Sequence, residues 1–212
     1  MRNDFEKILI DSLDRAGIAV QGLPLDKFNA FYQLLEKWQS SLNLTAIKGL
    51  QDIVDRHFCE SLLLVEKIEK KNGKLLDFGS GNGFPALPIK IAIPELEIIL
   101  VEARKKKCHF LNAIIRELDL TKIAVKNKGI KKLSELSGGE RFDYYTMRGV
   151  GNAVQILAEL PSILHSGGKA FIYSGHKSLP LLEKVAQKIS AKKQDILLPG
   201  RRASYLSILE LF

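Results

Sequence analysis

Three closely spaced glycines carry the clearest chemical signal in this chain. They lie in the run Asp77-Phe78-Gly79-Ser80-Gly81-Asn82-Gly83-Phe84-Pro85, directly after the apolar stretch Leu75–Phe78. Glycines there let a backbone turn sharply and approach a ligand with no Cβ in the way. The dinucleotide fingerprint G-x-G-x-x-G would need a glycine where Phe84 stands, and no Gly-Lys-Ser/Thr follows to make a phosphate-cradling P-loop. Phe84 and Pro85 also crowd the helix start that would present N–H groups to a pyrophosphate. The loop therefore suits a small cofactor rather than a phosphate chain, with a plain tight turn as the alternative. Glu102 ends the next apolar run, Leu96–Val101, 19 residues beyond Gly83. A carboxylate at that place accepts hydrogen bonds from two ribose hydroxyls, or else is a solvated strand-end charge. Basic groups follow the same strand ends: Arg104-Lys105-Lys106-Lys107, then Lys126, Lys128, Lys131 and Lys132, then Arg201-Arg202. On one shared rim these would contact phosphates, although each run alone also reads as a solvated face. The strand ends show no His/Asp or Cys/His couple for nucleophilic catalysis, and no metal is expected.

These residues need elements to hold them. After Asn72-Gly73, short apolar runs alternate with helical stretches. The runs are Leu75–Phe78, Ile98–Val101, Ile123–Val125, Phe142–Met147, Lys169–Tyr173, Ile196–Leu198 and Tyr205–Leu211. Helices are expected near 85–93, 105–118, 152–164 and 178–190. Such alternation predicts a mostly parallel sheet covered on both faces. No helix separates the last two runs, so they predict a C-terminal antiparallel hairpin around Pro199-Gly200-Arg201-Arg202. Residues 1–72 read as helical instead. One stripe runs Phe5, Ile8, Leu9, Leu13 and stops at Gly17. A second opens after Pro24 and carries Leu25, Phe28, Phe31, Tyr32, Leu35, Trp38 and Leu42. A third runs from about Asp52 through Ile53, Val54, Phe58, Leu62, Val65 and Ile68. These stripes read as helix packing, so 1–72 is expected as an N-terminal helical extension of one compact unit completed by 73–212.

Composition narrows the classes further. The 212 residues include 32 Lys+Arg against 24 Asp+Glu, a net charge of +8, which points modestly to a polyanionic partner. No apolar run is near the 18 residues of a membrane span, and the first residues lack a signal-peptide core. Cys59 and Cys108 are too few for a disulfide framework, so a reducing cytoplasm is expected.

Taken in order along the chain, the motifs resemble the glucose-inhibited division protein B family (RsmG). The resemblance rests on Trp38, Asn43-Leu44-Thr45-Ala46, Arg56-His57-Phe58 with Glu60-Ser61, the loop Asp77–Pro85, and Pro88. It implies a Rossmann-like class I methyltransferase: a seven-stranded, mostly parallel α/β sheet with a C-terminal antiparallel hairpin and an N-terminal helical extension. It also implies an enzyme that moves a methyl group from S-adenosylmethionine to N7 of guanine 527, in the 530 loop of 16S ribosomal RNA. The expected partner is that RNA, within the small ribosomal subunit, and the protein is expected as a monomer off the membrane. The implied cofactor residues are Asp77, Gly79, Gly81, Gly83, Phe84, Glu102, Gly129, Ile130 and Arg148. Arg56, Arg104, Lys105, Lys106, Lys128, Arg201 and Arg202 are the expected RNA contacts. Guanine N7 has a lone pair and no proton, so no general base is expected. Arg148 is then an orienting residue, with a strand-end salt bridge as its alternative. His57 either shares the mouth of the site with Arg56 or is a hydrogen-bonded structural group. Asn43 and Thr45 read as helix caps. The chain departs from the family at Lys131, where an acid is usual, and at Ser174, where a lysine is usual. Two other readings stay open: a methyltransferase on another RNA or on a protein, and a non-catalytic RNA-binding module.

Overall fold

The computed structural model describes residues 2–42, 44–129, 132–133, 135, 139–149, 153–199 and 204–212, with only the backbone of Ser40, Ser41, Ala153 and Val154. Helix α1 (Asp4–Arg15) is capped by Asn3, whose side chain accepts the Glu6 N–H. It stops at Gly17, where the backbone turns to φ +69° and Ile18 N–H closes on the Leu13 carbonyl. Helix α2 (Leu25–Leu42) follows Pro24 as the sequence predicts.

The third expected helix is a departure. It forms as α3 (Leu50–Ile53), a π-helical segment Val54–Cys59, and α4 (Glu60–Leu62). Val54, Phe58 and Leu62 are buried along it, and so are His57 and Glu60. Such π segments often occur at functional sites.

Seven strands follow: β1 (Lys74–Phe78), β2 (Glu97–Glu102), β3 (Ile123–Asn127), β4 (Phe142–Arg148), β5 (Leu164–Gly175), β6 (Ala191–Leu197) and β7 (Ser204–Leu211). Their order is β3-β2-β1-β4-β5-β7-β6, with β7 antiparallel to both neighbours and the other pairs parallel. The expected mostly parallel sheet and terminal hairpin are both present. Helices α5 (Ala86–Ala92) and α6 (Lys105–Glu117) cover one face; α7 (Leu160–Ile163) and α8 (Leu179–Lys188) cover the other.

Three boundaries differ from the sequence reading. Strand β5 starts at Leu164 and runs to Gly175, where Lys169–Tyr173 was expected. Residues 153–159 form a 3₁₀ turn before α7 rather than one helix across 152–164. Strand β6 begins at Ala191, not Ile196, because edge position tolerates Lys192, Lys193 and Gln194 in a strand.

The helical extension packs onto the sheet rather than beside it. Phe5, Phe28, Phe31, Phe58, Phe84, Leu87, Phe110 and Phe171 belong to one buried cluster. Residues near the chain start therefore cover the glycine loop directly.

Candidate functional site

The site grows from two adjacent parallel strands. Asp77 on β1 pairs in register with Thr146 on β4, and Thr146 Oγ1 donates to Asp77 Oδ1 at 2.7 Å. Asp77 is 1 % exposed and its Oδ2 has no partner. Burial pushes its carboxyl up to about 6, against the hydrogen bond from Thr146, while Ser80 Oγ donates to the Asp77 main-chain carbonyl at 3.1 Å. Beyond Phe78 the chain folds over the end of β2: Gly79 and Ser80 both donate their N–H to the Val101 carbonyl, at 2.9 and 3.0 Å. Gly81 then donates its N–H to Glu102 Oε2 at 2.9 Å, while Arg104 N–H reaches Oε1 at 2.8 Å. The Glu102 carboxylate is thus fixed between the loop and the start of α6. Gly79, Gly81 and Gly83 have φ of +73°, +55° and +89°, a region that only glycine enters freely.

The extension forms the opposite wall. The Phe84 ring stacks on His57 at 4.5 Å and on Phe31 at 5.0 Å, and meets Phe58 edge-on at 5.1 Å. His57 Nε2 lies 2.9 Å from Thr45 Oγ1. Gln39 holds Thr45 in turn, accepting its N–H at 3.0 Å and donating to its carbonyl at 2.6 Å. Burial, then the nearby Arg148 and Arg56 charges, lower the His57 ring to about 3, so it is neutral at physiological pH. Thr45 does not cap a helix as expected: Oγ1 accepts the N–H of Ile47 in a local turn, and the next helix starts only at Leu50.

Arg148, at the end of β4, links the walls. Its Nη2 donates to Glu60 Oε2 at 2.6 Å and to the Arg56 carbonyl at 2.5 Å. Its guanidinium lies over the Tyr173 ring at 4.9 Å, and Tyr173 Oη donates to the Glu60 carbonyl at 2.8 Å. The salt-bridge reading of Arg148 is therefore realised, and the residue faces the site as well.

Between these walls opens a cleft of about 810 Å³. Of the residues singled out from sequence, Gly79, Gly81, Phe84, Glu102, Arg104, Lys128, Gly129, Arg148 and His57 line it together. Asp77 lies buried beneath it. Gly83 is not among its lining residues: a Cβ there would point at Leu87. Arg56 offers its backbone carbonyl to Arg148. Lys105 and Lys106 stand exposed on the first turn of α6, beside the cleft rather than in it. Asn127 ties the ends of β2 and β3 together by donating to the Glu102 and Ala103 carbonyls, which brings Lys128 and Gly129 to the mouth. Ile130, Lys131, Asn43, Arg201 and Arg202 lie outside the described residues. Sequence reasoning gave no role to Glu60, Tyr173 or Thr146, whose partners lie 69 to 113 residues away; for Glu60 the available signal was its place in the Arg56-His57-Phe58 and Glu60-Ser61 motif.

The chain is similar to known proteins in sequence and in fold. The family described as rRNA small subunit methyltransferase G matches residues 24–199. The chain is 33% identical over 177 residues to the ribosomal RNA small subunit methyltransferase G of Lachnoclostridium phytofermentans, covering 82% of this chain and 73% of that one. It is 32% identical to the protein of the same name from Leuconostoc mesenteroides, covering 95% and 88%. Among solved structures, a SAM dependent methyltransferase from Aquifex aeolicus superposes with a TM-score of 0.62 at 11% identity, covering 87% of this chain and 98% of that one. The fold is thus the Rossmann-like class I methyltransferase fold.

Proposed function

Because the chain belongs to the rRNA small subunit methyltransferase G family, we propose that it methylates small-subunit ribosomal RNA in the cytoplasm, with S-adenosylmethionine as donor and N7 of guanine 527 as acceptor. The observation that carries the reading is the cleft over the Gly79–Phe84 turn, floored by a fixed, 7 % exposed Glu102. Its volume is in the range of pockets for molecules of cofactor size, about 300–1,000 Å³. Each Glu102 oxygen accepts one backbone N–H and keeps a second lone pair for a ribose hydroxyl. At Gly81 the place of a Cβ has only Gly79 O and Lys107 Nζ nearby, both at 3.6 Å, so the missing side chain leaves room at the cleft wall. The donor supplies an electrophilic methyl on a sulfonium.

The chain's own residues bind, orient and exclude water. Guanine N7 presents a lone pair without a proton, so in-line attack needs no base. The neutral His57, fixed between Thr45 and Phe84, suits a wall rather than a proton acceptor. Held by Glu60 and the Arg56 carbonyl, Arg148 is an orienting group whose position is set before substrate arrives. Arg104, Lys105, Lys106 and Lys128 hold RNA phosphates around the mouth.

The test is incubation of the purified protein and S-adenosylmethionine with small subunits from a strain lacking the gene, followed by mass spectrometry of digested 16S RNA. One added N7-methylguanine at position 527 is expected. Cofactor binding without methylation of either free RNA or particles would overturn the substrate. Absence of cofactor binding in calorimetry would overturn the enzyme reading and leave a binding module.

A further inference from the structure

Glu60 is a buried charge that the mechanism above uses only as a prop. Its residue is 2 % exposed, and Oε2 accepts from Arg148 Nη2 at 2.6 Å. The charges lining the cleft explain what else it does. Among the described residues they are Arg104, Lys107, Lys128 and Arg148 against the single carboxylate Glu102. That balance favours RNA phosphate and opposes a sulfonium cation. The four cations are not equivalent. Arg104 and Lys128 are exposed, so water and salt screen them. Arg148 has a side chain only 20% exposed, and its Nη1 is buried without a partner. Its charge therefore reaches the cleft from a largely buried side chain, and guanidinium cannot shed its proton. Glu60 lies directly behind it, with the Arg56 carbonyl and the Tyr173 ring adding negative potential.

We propose that Glu60 is a positioning residue that cancels the Arg148 charge toward the cleft, so that the site admits a cationic cofactor while Arg148 still orients its contacts. The proposal rests on the methyl-donor reading above. Its specific consequence is discrimination between two ligands of nearly equal shape: S-adenosylmethionine, which carries the sulfonium charge, and S-adenosylhomocysteine, a neutral thioether. A unit charge uncovered in a partly buried site changes the affinity of a nearby cation by about tenfold or more. The neutral product is affected far less.

Calorimetry on the full chain with both ligands tests this. Glu60→Gln, nearly isosteric, is expected to raise Kd(S-adenosylmethionine)/Kd(S-adenosylhomocysteine) by about tenfold or more. Glu60→Asp, which keeps the charge, is expected to restore a ratio close to that of the unmodified protein. Equal weakening of both ligands by Glu60→Gln would mean a merely structural role and overturn the proposal. If Glu60→Gln does not fold, Glu60→Gln/Arg148→Met takes its place, since it leaves no unpaired buried charge. With Glu60→Gln/Arg148→Lys measured beside it, a ratio about tenfold or more higher in the lysine variant, which keeps an uncancelled cation, supports the proposal, and equal ratios in the two variants overturn it. Failure of the unmodified protein to bind either ligand would instead remove the methyl-donor reading itself.

Discussion

Gly83→Ala separates a steric role from a ligand-binding one. An added Cβ would lie 2.3 Å from Leu87 Cδ1 and 2.9 Å from Leu87 Cγ, with Leu111 Cδ2 at 3.4 Å. Carbon atoms in contact normally keep about 3.5–4.0 Å. Leu87 is fully buried on α5, so its side chain has to shift into a filled core. Overpacking of this kind costs about 1–3 kcal/mol. The φ of +89° adds about 1–2 kcal/mol of backbone strain for a residue with a Cβ. The total, about 2–5 kcal/mol, is a large part of a typical stability of about 5–15 kcal/mol. With a urea slope of about 2 kcal/mol/M, the midpoint falls by about 1–2.5 M. Gly81→Ala is the internal control, because its Cβ meets only Gly79 O and Lys107 Nζ, both at 3.6 Å. Its expected loss is the strain alone, about 1–2 kcal/mol. In a Leu87→Ala background the clash disappears, and the cost of Gly83→Ala should fall to the same strain. Equal midpoints for the two alanine variants, or an undiminished cost in the Leu87→Ala background, would refute the steric argument.

Gly81→Val is expected to fold and to lose S-adenosylmethionine binding in calorimetry, because the branched side chain enters the cleft; unchanged affinity would remove Gly81 from the cofactor wall. Reversing both Lys105 and Lys106 to Glu should weaken RNA binding and lower the slope of log K against log salt by about 2 or more, as two phosphate contacts are lost. These residues are on the first turn of α6, where cations oppose the helix dipole, so the reversal does not weaken the helix. Lost affinity would then report contact, and intact affinity would return the run to plain surface. His57, lowered from 6.5 to about 3, contributes stability fully present above pH 6.5 and lost as pH falls through that window. Between pH 6.5 and 4 the loss is about 3 kcal/mol. Urea midpoints of His57→Asn should therefore fall less on acidification than those of the unmodified protein, and identical acid dependence would contradict a buried neutral ring.

The parts legible in sequence were those set by short-range pattern. Alternating apolar runs locate the strands, and Gly79, Gly81 and Gly83 mark their own positive φ. Glu102 is legible because a strand end and a loop meet at a fixed distance in this topology. The π segment at Val54–Cys59 was not legible, since Val54, Phe58 and Leu62 keep an ordinary helical spacing. Its residues make tertiary contacts that no local pattern announces: Arg148, 92 residues along, takes the Arg56 carbonyl, and the Phe84 ring stacks on His57. Burial of Asp77 was hidden for a similar reason. Its partner Thr146 is 69 residues away and becomes a neighbour only through the β1–β4 pairing.

Net charge, the broadest sequence signal, hides an uneven distribution of acids and bases around the cleft. Glu60, Asp77 and Glu102, at 2 %, 1 % and 7 % exposure, lie in or beneath the cleft. Arg104, Lys105, Lys106 and Lys128 stand exposed around it. The two ligands of the proposed reaction demand this arrangement. RNA is a polyanion met at the surface, where contacts are screened and reversible. A sulfonium is a single cation held out of water, where each uncompensated neighbouring cation weighs more. An excess of +8 distributed evenly would serve the first ligand and repel the second. Buried acids under a basic rim serve both, and they separate the two effects experimentally. Changes at the rim should register as salt dependence of RNA binding, and changes at the buried acids as discrimination between charged and neutral cofactor.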